Sequence, residues 1–160
     1  MVSVIQSKGK QLILLLTILI FTGSNMLAQN SNYAGTESNI SLDQLIDKSV
    51  GMESSDKLCS LIYEDSKNTY YVVNANKLES KFEKIRLLEL SYSDDALVSI
   101  GMNTDKTKFF FLVNNTLNKS TEDIEKLFEG FVLQSKTEMN KLNAEQMRLW
   151  LIQHDKYFKK

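Results

Sequence analysis

The chain has 160 residues, with 19 basic and 20 acidic side chains, one histidine, one cysteine and no proline. This charge balance argues against a nucleic-acid binder, because such a domain normally carries a basic surplus. One cysteine and one histidine cannot supply the four ligands of a structural zinc site, and a lone cysteine cannot form an intramolecular disulfide. The sequence therefore predicts a fold that depends on its apolar core.

Residues 1–28 have the pattern of a secretory signal peptide. Lys8 and Lys10 precede the apolar run 12–21, and small or polar residues lead to Ala28, after which we expect cleavage. That run of ten residues is shorter than the roughly 20 that a membrane-spanning helix needs. We predict no permanent membrane span after cleavage and a periplasmic or secreted product. Without Lys8 and Lys10 the chain keeps 17 basic against 20 acidic side chains, a net charge of about −3.

Two segments follow the predicted cleavage point. Residues 29–40 are small and polar without periodicity, which predicts a disordered leader, and residues 41–160 have the length of a single domain. At the start of this domain the apolar residues have helical spacing, Ser41 can cap the first turn, and Gly51 can end the last one. We predict a short helix from Leu42 to Val50.

Two hairpins are predicted further along the chain. The first pairs Leu58–Glu64 with Thr69–Asn74 across a polar turn, since both runs are rich in β-branched and aromatic residues. The second has apolar runs on either side of the polar loop 103–107. Its second run, 109–113, is apolar on both faces, which is typical of a central strand or of a strand that offers one face to a partner.

Between the hairpins, the stretch 76–92 is compatible with two structures. Leu78 and Phe82 have helical spacing, yet residues 85–92 would also serve as a strand. We predict a helix that ends at Glu83 and a strand after it. This strand and the two hairpins give a sheet of about five strands.

The period becomes helical from Ser120 onward. Ser120 can cap a helix whose first turn is acidic, and its apolar residues from Ile124 to Leu142 lie close to one stripe. Asn143 and Gln146 resemble a second capping pair, which predicts another helix from Ala144. The predicted fold is α+β: an antiparallel sheet of about five strands, one intervening helix, and a C-terminal helix pair packed on one face. We recognise no internal repeat.

Few residues suggest chemistry, and no metalloprotease, hydrolase, Walker or dinucleotide-binding motif is present. We interpret Cys59 as a buried thiol in a strand, with an intermolecular disulfide as the alternative. His154 lies four residues after Trp150, which favours a packed helix position over a general base. Asp94 and Asp95 favour a tight turn over a cation site.

These observations predict a small exported protein of the bacterial envelope, non-catalytic and without a cofactor. It would act as an adaptor, inhibitor or accessory subunit on an envelope or secreted protein partner. The alternatives are a small secreted hydrolase with a carboxylate or serine mechanism and a carrier of an apolar ligand. Aromatic residues are enriched at binding hot spots, although burial in the monomer core is the more common role of such residues. The candidate partner-binding residues are Phe109, Phe111, Trp150, Tyr157 and Phe158.

Overall fold

A computed structural model describes residues 40–52 and 56–155. The predicted signal peptide lies outside these residues, as does the leader up to Asn39. The elements are α1 (Leu42–Lys48), β1 (Cys59–Glu64), β2 (Asn68–Asn74), α2 (Lys81–Tyr92), β3 (Val98–Met102), β4 (Lys108–Asn114), α3 (Thr121–Met139) and α4 (Ala144–His154). The strands form an antiparallel sheet in the order β1-β2-β4-β3.

The α+β class and both hairpins are confirmed, but the described part of the chain has four strands rather than about five. The strand predicted after Glu83 is wrong, because α2 continues without a break to Tyr92. Ser80 starts this helix by accepting a hydrogen bond from the Glu83 amide, and Ile85 and Leu88 are buried in the core. The segment is rich in apolar residues because α2 is packed against both the sheet and α3.

The starts of α1, α3 and α4 were predicted correctly. At each of three starts the side chain of the capping residue accepts a hydrogen bond from an amide in the first turn, and the side chain three residues on bonds back to the capping residue's amide. These reciprocal pairs satisfy amides that have no partner inside the helix. The pairs are Ser41 with Gln44, Ser120 with Asp123, and Asn143 with Gln146.

Helices cover the sheet on both faces. The larger core joins one face to α2 and α3, and it contains Tyr71, Phe111 and Phe128. On the other face the short helix α1 covers Tyr70 and Phe110. The prediction of a C-terminal helix pair on one face holds for α3, whereas α4 contacts α2. Because helices cover both faces of the two central strands, apolar side chains on both faces of β2 and β4 are buried.

The described chain also contains an internal repeat, so the prediction that there is none is wrong. The unit of a β-hairpin followed by a helix occurs first as β1-β2-α2 and again as β3-β4-α3. The second strands of the two units, Asn68–Asn74 and Lys108–Asn114, are 40 positions apart at both ends. They pair with each other at the centre of the sheet.

The two units agree in local detail. Asn74 and Asn114 end their strands by accepting a hydrogen bond from the amide two residues on, and a short 3-10 turn follows each of them. Ser80 and Ser120 then cap the helices. Each pair has the same spacing of 40 residues, so turn, cap and helix recur in the same order and at the same distance.

Each edge strand also has a bulge at the equivalent place. The pairing of β1 shifts between Leu61 and Tyr63, and that of β3 shifts between Ser99 and Gly101. Leu61 lies opposite Tyr71 of β2, and Ser99 lies opposite Phe111 of β4. Tyr71 and Phe111 are equivalent residues of the two units, and they pair with each other. A pseudo-twofold axis therefore passes through the sheet between Tyr71 and Phe111.

The bulge in β3 predicts the effect of one substitution. Gly101 has a φ of +154°, and a Cβ at this position would lie 2.9 Å from Cδ2 of Leu42, which packs on it from α1. We expect Gly101→Ala to lower the free energy of unfolding by about 1–2 kcal/mol, because Leu42 would have to move. Urea denaturation measures this.

Gly130 provides the matched control, because it lies within α3 and nothing lies within 4 Å of the position that its Cβ would take. We expect Gly130→Ala to raise the free energy of unfolding by about 0.5–1 kcal/mol, since alanine favours the helix. Equal effects of the two substitutions would contradict the packing of α1 on Gly101.

Candidate functional site

The single tryptophan and the single histidine lie together on the inner side of α4. The indole ring of Trp150 packs against Phe82 of α2 at 4.2 Å between ring centroids, with an interplanar angle of 46°. The imidazole of His154 also stacks on Trp150, at 4.1 Å between ring centroids and an interplanar angle of 11°. The stacking follows from sequence, because residues four apart lie above each other on a helix.

Charged side chains surround this aromatic stack. Arg86 Nε and Nη2 donate to the two carboxylate oxygens of Glu138 at 2.6 and 3.2 Å, and its Nη1 donates to Glu89 at 3.1 Å. The bond from Arg86 lowers the pKa of the Glu138 carboxyl, and in turn raises the pKa of the Arg86 guanidinium. We call this group the terminal-helix cluster: Phe82, Arg86, Glu89, Glu138, Trp150 and His154.

The geometry of the terminal-helix cluster is that of a helix contact rather than a catalytic dyad. His154 Nδ1 lies 2.7 Å from the Trp150 carbonyl oxygen, and Nε2 lies 3.6 Å from Glu89 Oε1. Both ring nitrogens thus face groups that only accept hydrogen bonds, instead of a serine hydroxyl or the Cys59 thiol. This arrangement supports the interpretation of His154 as a packed helix residue.

Cys59 is buried in β1, at 1% exposure. Burial raises the pKa of its thiol to about 12, and the negative charge of Glu125 acts in the same direction, against the weaker influence of Lys57. A thiol with such a pKa is protonated at neutral pH and is therefore a poor nucleophile. Its burial also places it away from any second chain with which it could form a disulfide.

Cys59 gives a direct test of this burial. We expect a maleimide or an aromatic disulfide reagent to label the native protein at least about tenfold more slowly than the urea-unfolded chain, because the native thiol is both buried and protonated. Labelling is followed by intact mass at neutral pH. Equal rates in the two states would contradict the buried position of the thiol.

Asp94 belongs to the turn that joins α2 to β3. Its Oδ1 accepts a hydrogen bond from the Ala96 amide at 2.8 Å, and its carbonyl oxygen accepts one from Leu97. The turn prediction is therefore confirmed, although the turn follows a helix instead of a strand. Residues 40–52 and 56–155 contain no group of three or more histidine, cysteine, aspartate or glutamate residues arranged to hold a metal ion.

Two open clefts are lined by described residues, and charged side chains contribute to the lining of each. One, of about 380 Å³, lies beside α1, where Lys48 Nζ sits 4.8 Å from the centre of the Tyr63 ring. The other, of about 310 Å³, lies at the start of α2. The first is lined by Ile40, Gln44, Asp47, Lys48 and Tyr63, and the second by Leu78, Glu79, Ser80, Lys81, Lys84, Asp105 and Lys106.

The predicted partner-binding residues occupy different environments. Phe109 and Phe111 are completely buried in the larger core, so their side chains stabilise the sheet and present no surface. Trp150 is half-buried against Phe82. Tyr157 and Phe158 lie outside the described residues.

Sequence reasoning missed two apolar residues on the outer side of α4. Leu149 is 46% exposed and Ile152 is 61% exposed, and they lie three residues apart on one helix face. The signal was present in the sequence. Once Trp150 and Leu151 are assigned to the inner side of the helix, their neighbours Leu149 and Ile152 must point outward.

Comparisons with protein-family models, with curated proteins and with solved structures found no match to this chain. Within the part of the chain that the structure describes, no helix combines the length and the apolar character that crossing a membrane requires.

Proposed function

We propose that this chain is a small exported protein of the bacterial envelope that works by binding another protein, as an adaptor, inhibitor or accessory subunit. Support for export comes from the sequence pattern of Lys8, Lys10, the apolar run 12–21 and the small residue Ala28. Support for a binding role comes from α4, whose outer face carries Leu149 and Ile152 in exposed positions.

The outer face of α4 carries the proposal. Leu149 and Ile152 form an apolar strip three residues apart on a surface helix, a pattern by which helices anchor to partner proteins. The inner side of the same helix is packed on α2 through Trp150. The helix is therefore held in place while its outer side chains stay accessible to an envelope or secreted partner.

Affinity capture from the envelope fraction tests the proposal. The double variant Leu149→Glu with Ile152→Glu should lose the partner that the unchanged protein retains, because two charges would be buried in the interface. Val50→Glu is the control, since Val50 is 75% exposed and follows α1, on the opposite face of the sheet. Capture profiles that do not differ between the double variant and the unchanged protein would refute the proposal.

Export is tested separately by the intact mass of the protein recovered from cells. We expect a chain that starts at Gln29 and is found in the periplasm or the medium. A cytoplasmic protein that retains residues 1–28 would contradict export and would leave the role of the α4 surface to be judged by the capture experiment.

A further inference from the structure

Helix α1 does not belong to the internal repeat. The two units, β1-β2-α2 and β3-β4-α3, supply every strand of the sheet and the two helices that cover its first face. Among the described helices, α1 is the one that covers the other face. Because the larger core contains no residue of α1, this helix can leave its seat while the sheet, α2 and α3 stay assembled.

The attachment of α1 to the sheet is small. The helix has seven residues, whereas an isolated helix shorter than about 12–15 residues is only marginally stable in water. Leu45 is its one fully buried side chain, and Leu42 and Ile46 are half-buried on the same side. Its other side chains, Asp43, Gln44, Asp47 and Lys48, are exposed. An element with so few buried side chains opens at a lower free energy than the fold as a whole.

The surface beneath α1 is apolar and held in shape by the sheet. Its floor consists of side chains from the two central strands, which are paired with each other and buried in one cluster with Leu45. At Gly101 the missing side chain leaves room for Leu42, since a Cβ there would lie 2.9 Å from Leu42 Cδ2. We call this surface the α1 groove: Tyr70, Val72, Gly101, Lys108, Phe110 and Leu112.

Lys108 recognises the end of the helix in the α1 groove. Its Nζ donates to the carbonyl oxygen of Ser49, the C-cap of α1, at 2.9 Å. The last carbonyl groups of any helix lack partners inside the helix and carry its partial negative charge, so this contact does not require the sequence of α1. The groove thus fits a class of segment: an amphipathic helix with apolar residues at positions i, i+3 and i+4, whose last turn reaches Lys108.

We propose that the α1 groove is a second protein-binding surface, which takes an amphipathic helix of a partner protein when α1 leaves it. In the free protein α1 occupies the groove and limits access to it. Tethering gives α1 a local concentration of roughly millimolar, so the partner helix must bind more tightly than α1 to displace it. The groove lies on the face of the sheet that α2 and α3 leave free, and it does not depend on the outer face of α4.

A fluorescein-labelled peptide with the sequence of residues 40–52 tests the groove, because it carries α1 with both of its caps. In the full chain, Leu45→Glu places a charge at the buried position and prevents α1 from docking. We expect this variant to bind the peptide at least about tenfold more tightly than the unchanged protein does, since its groove is no longer occupied. Fluorescence anisotropy measures the affinity. The peptide should also raise the urea midpoint of the Leu45→Glu variant, which keeps the test decisive if that variant is partly unfolded.

Two controls accompany this measurement. The same peptide carrying Leu45→Glu should not bind, and the protein variant Leu133→Glu, changed at an exposed position of α3, should bind the original peptide as weakly as the unchanged protein does. Equal affinities of the Leu45→Glu variant and the unchanged protein for the peptide would overturn the proposal. A dimer of the unchanged protein that the peptide dissociates would overturn it too, because the groove would then hold the α1 of a second copy.

Discussion

Replacing Phe111 by alanine should lower the free energy of unfolding by about 3–5 kcal/mol, the usual cost of truncating a buried phenylalanine. Phe111 is completely buried, lies beside Tyr71 at the pseudo-twofold axis, and packs on Phe128 of α3 at 4.9 Å. Its backbone thus pairs with the first repeat unit, and its ring packs on the helix of the second. The surroundings are fixed by the sheet, so they cannot collapse into the space that the ring leaves.

Urea denaturation followed by circular dichroism measures this effect. Leu133→Ala is the matched control, because Leu133 is also a large apolar residue of the described domain but is 69% exposed on α3. We expect this control to change the free energy of unfolding by no more than about 0.5 kcal/mol. If Phe111→Ala were as stable as the control, Phe111 would have to face solvent or a partner, as the sequence pattern allowed.

A second large effect is expected at Lys108, a lysine only 6% exposed at the start of β4. Its Nζ donates to the Ser49 carbonyl at 2.9 Å and to the Ser49 hydroxyl at 3.2 Å. Ser49 is the C-cap of α1, so the cation binds the negative end of this helix and ties it to the sheet. Lys108→Met keeps most of the apolar stem and removes the donor.

We expect Lys108→Met to lower the free energy of unfolding by about 2–3 kcal/mol, because it leaves the Ser49 acceptors buried without this donor. Amides of α1 should also lose protection from hydrogen exchange before those of the sheet do. Lys126→Met is the control: Lys126 is exposed, and its pair with Glu122 should be worth less than about 0.5 kcal/mol. Unchanged stability of both variants would show that Lys108 does not fasten α1.

Local signals in the sequence predicted most of the elements. Caps such as Ser41 and Ser120 mark helix starts through their own side chains, and the polar turns mark both hairpins. These features depend on residues within one turn of each other, so pattern reasoning reaches them. The correct α+β class followed from them.

The error at α2 has a physical cause that one pair of residues would have revealed. Ile85–Tyr92 is apolar enough for a strand, but Arg86 and Glu89 interrupt it three residues apart. In a strand these two charges would point to opposite faces, whereas in a helix they lie on one side and can pair, as they do. The second partner of Arg86, Glu138, lies on α3 and is distant in sequence.

The fate of Phe109 and Phe111 could not be predicted from the strand pattern. A strand that is apolar on both faces needs two covers, and only the tertiary structure shows that α1 supplies one and α2 with α3 the other. The repeat escaped notice for a related reason. Two units can share a cap, a turn and a bulge while having few identical residues. Here Asn74 and Asn114 end equivalent strands, and Ser80 and Ser120 cap equivalent helices, in different surroundings.

The binding of an envelope or secreted protein to the outer face of α4, which we propose, can be tested by site-specific photo-crosslinking. A photoreactive residue is placed at position 152 in cells that make the protein, and a second one at position 126 on the exposed side of α3 serves as control. We expect a discrete crosslinked product from position 152 that is missing from position 126. No product from position 152, or the same products from both positions, would contradict it.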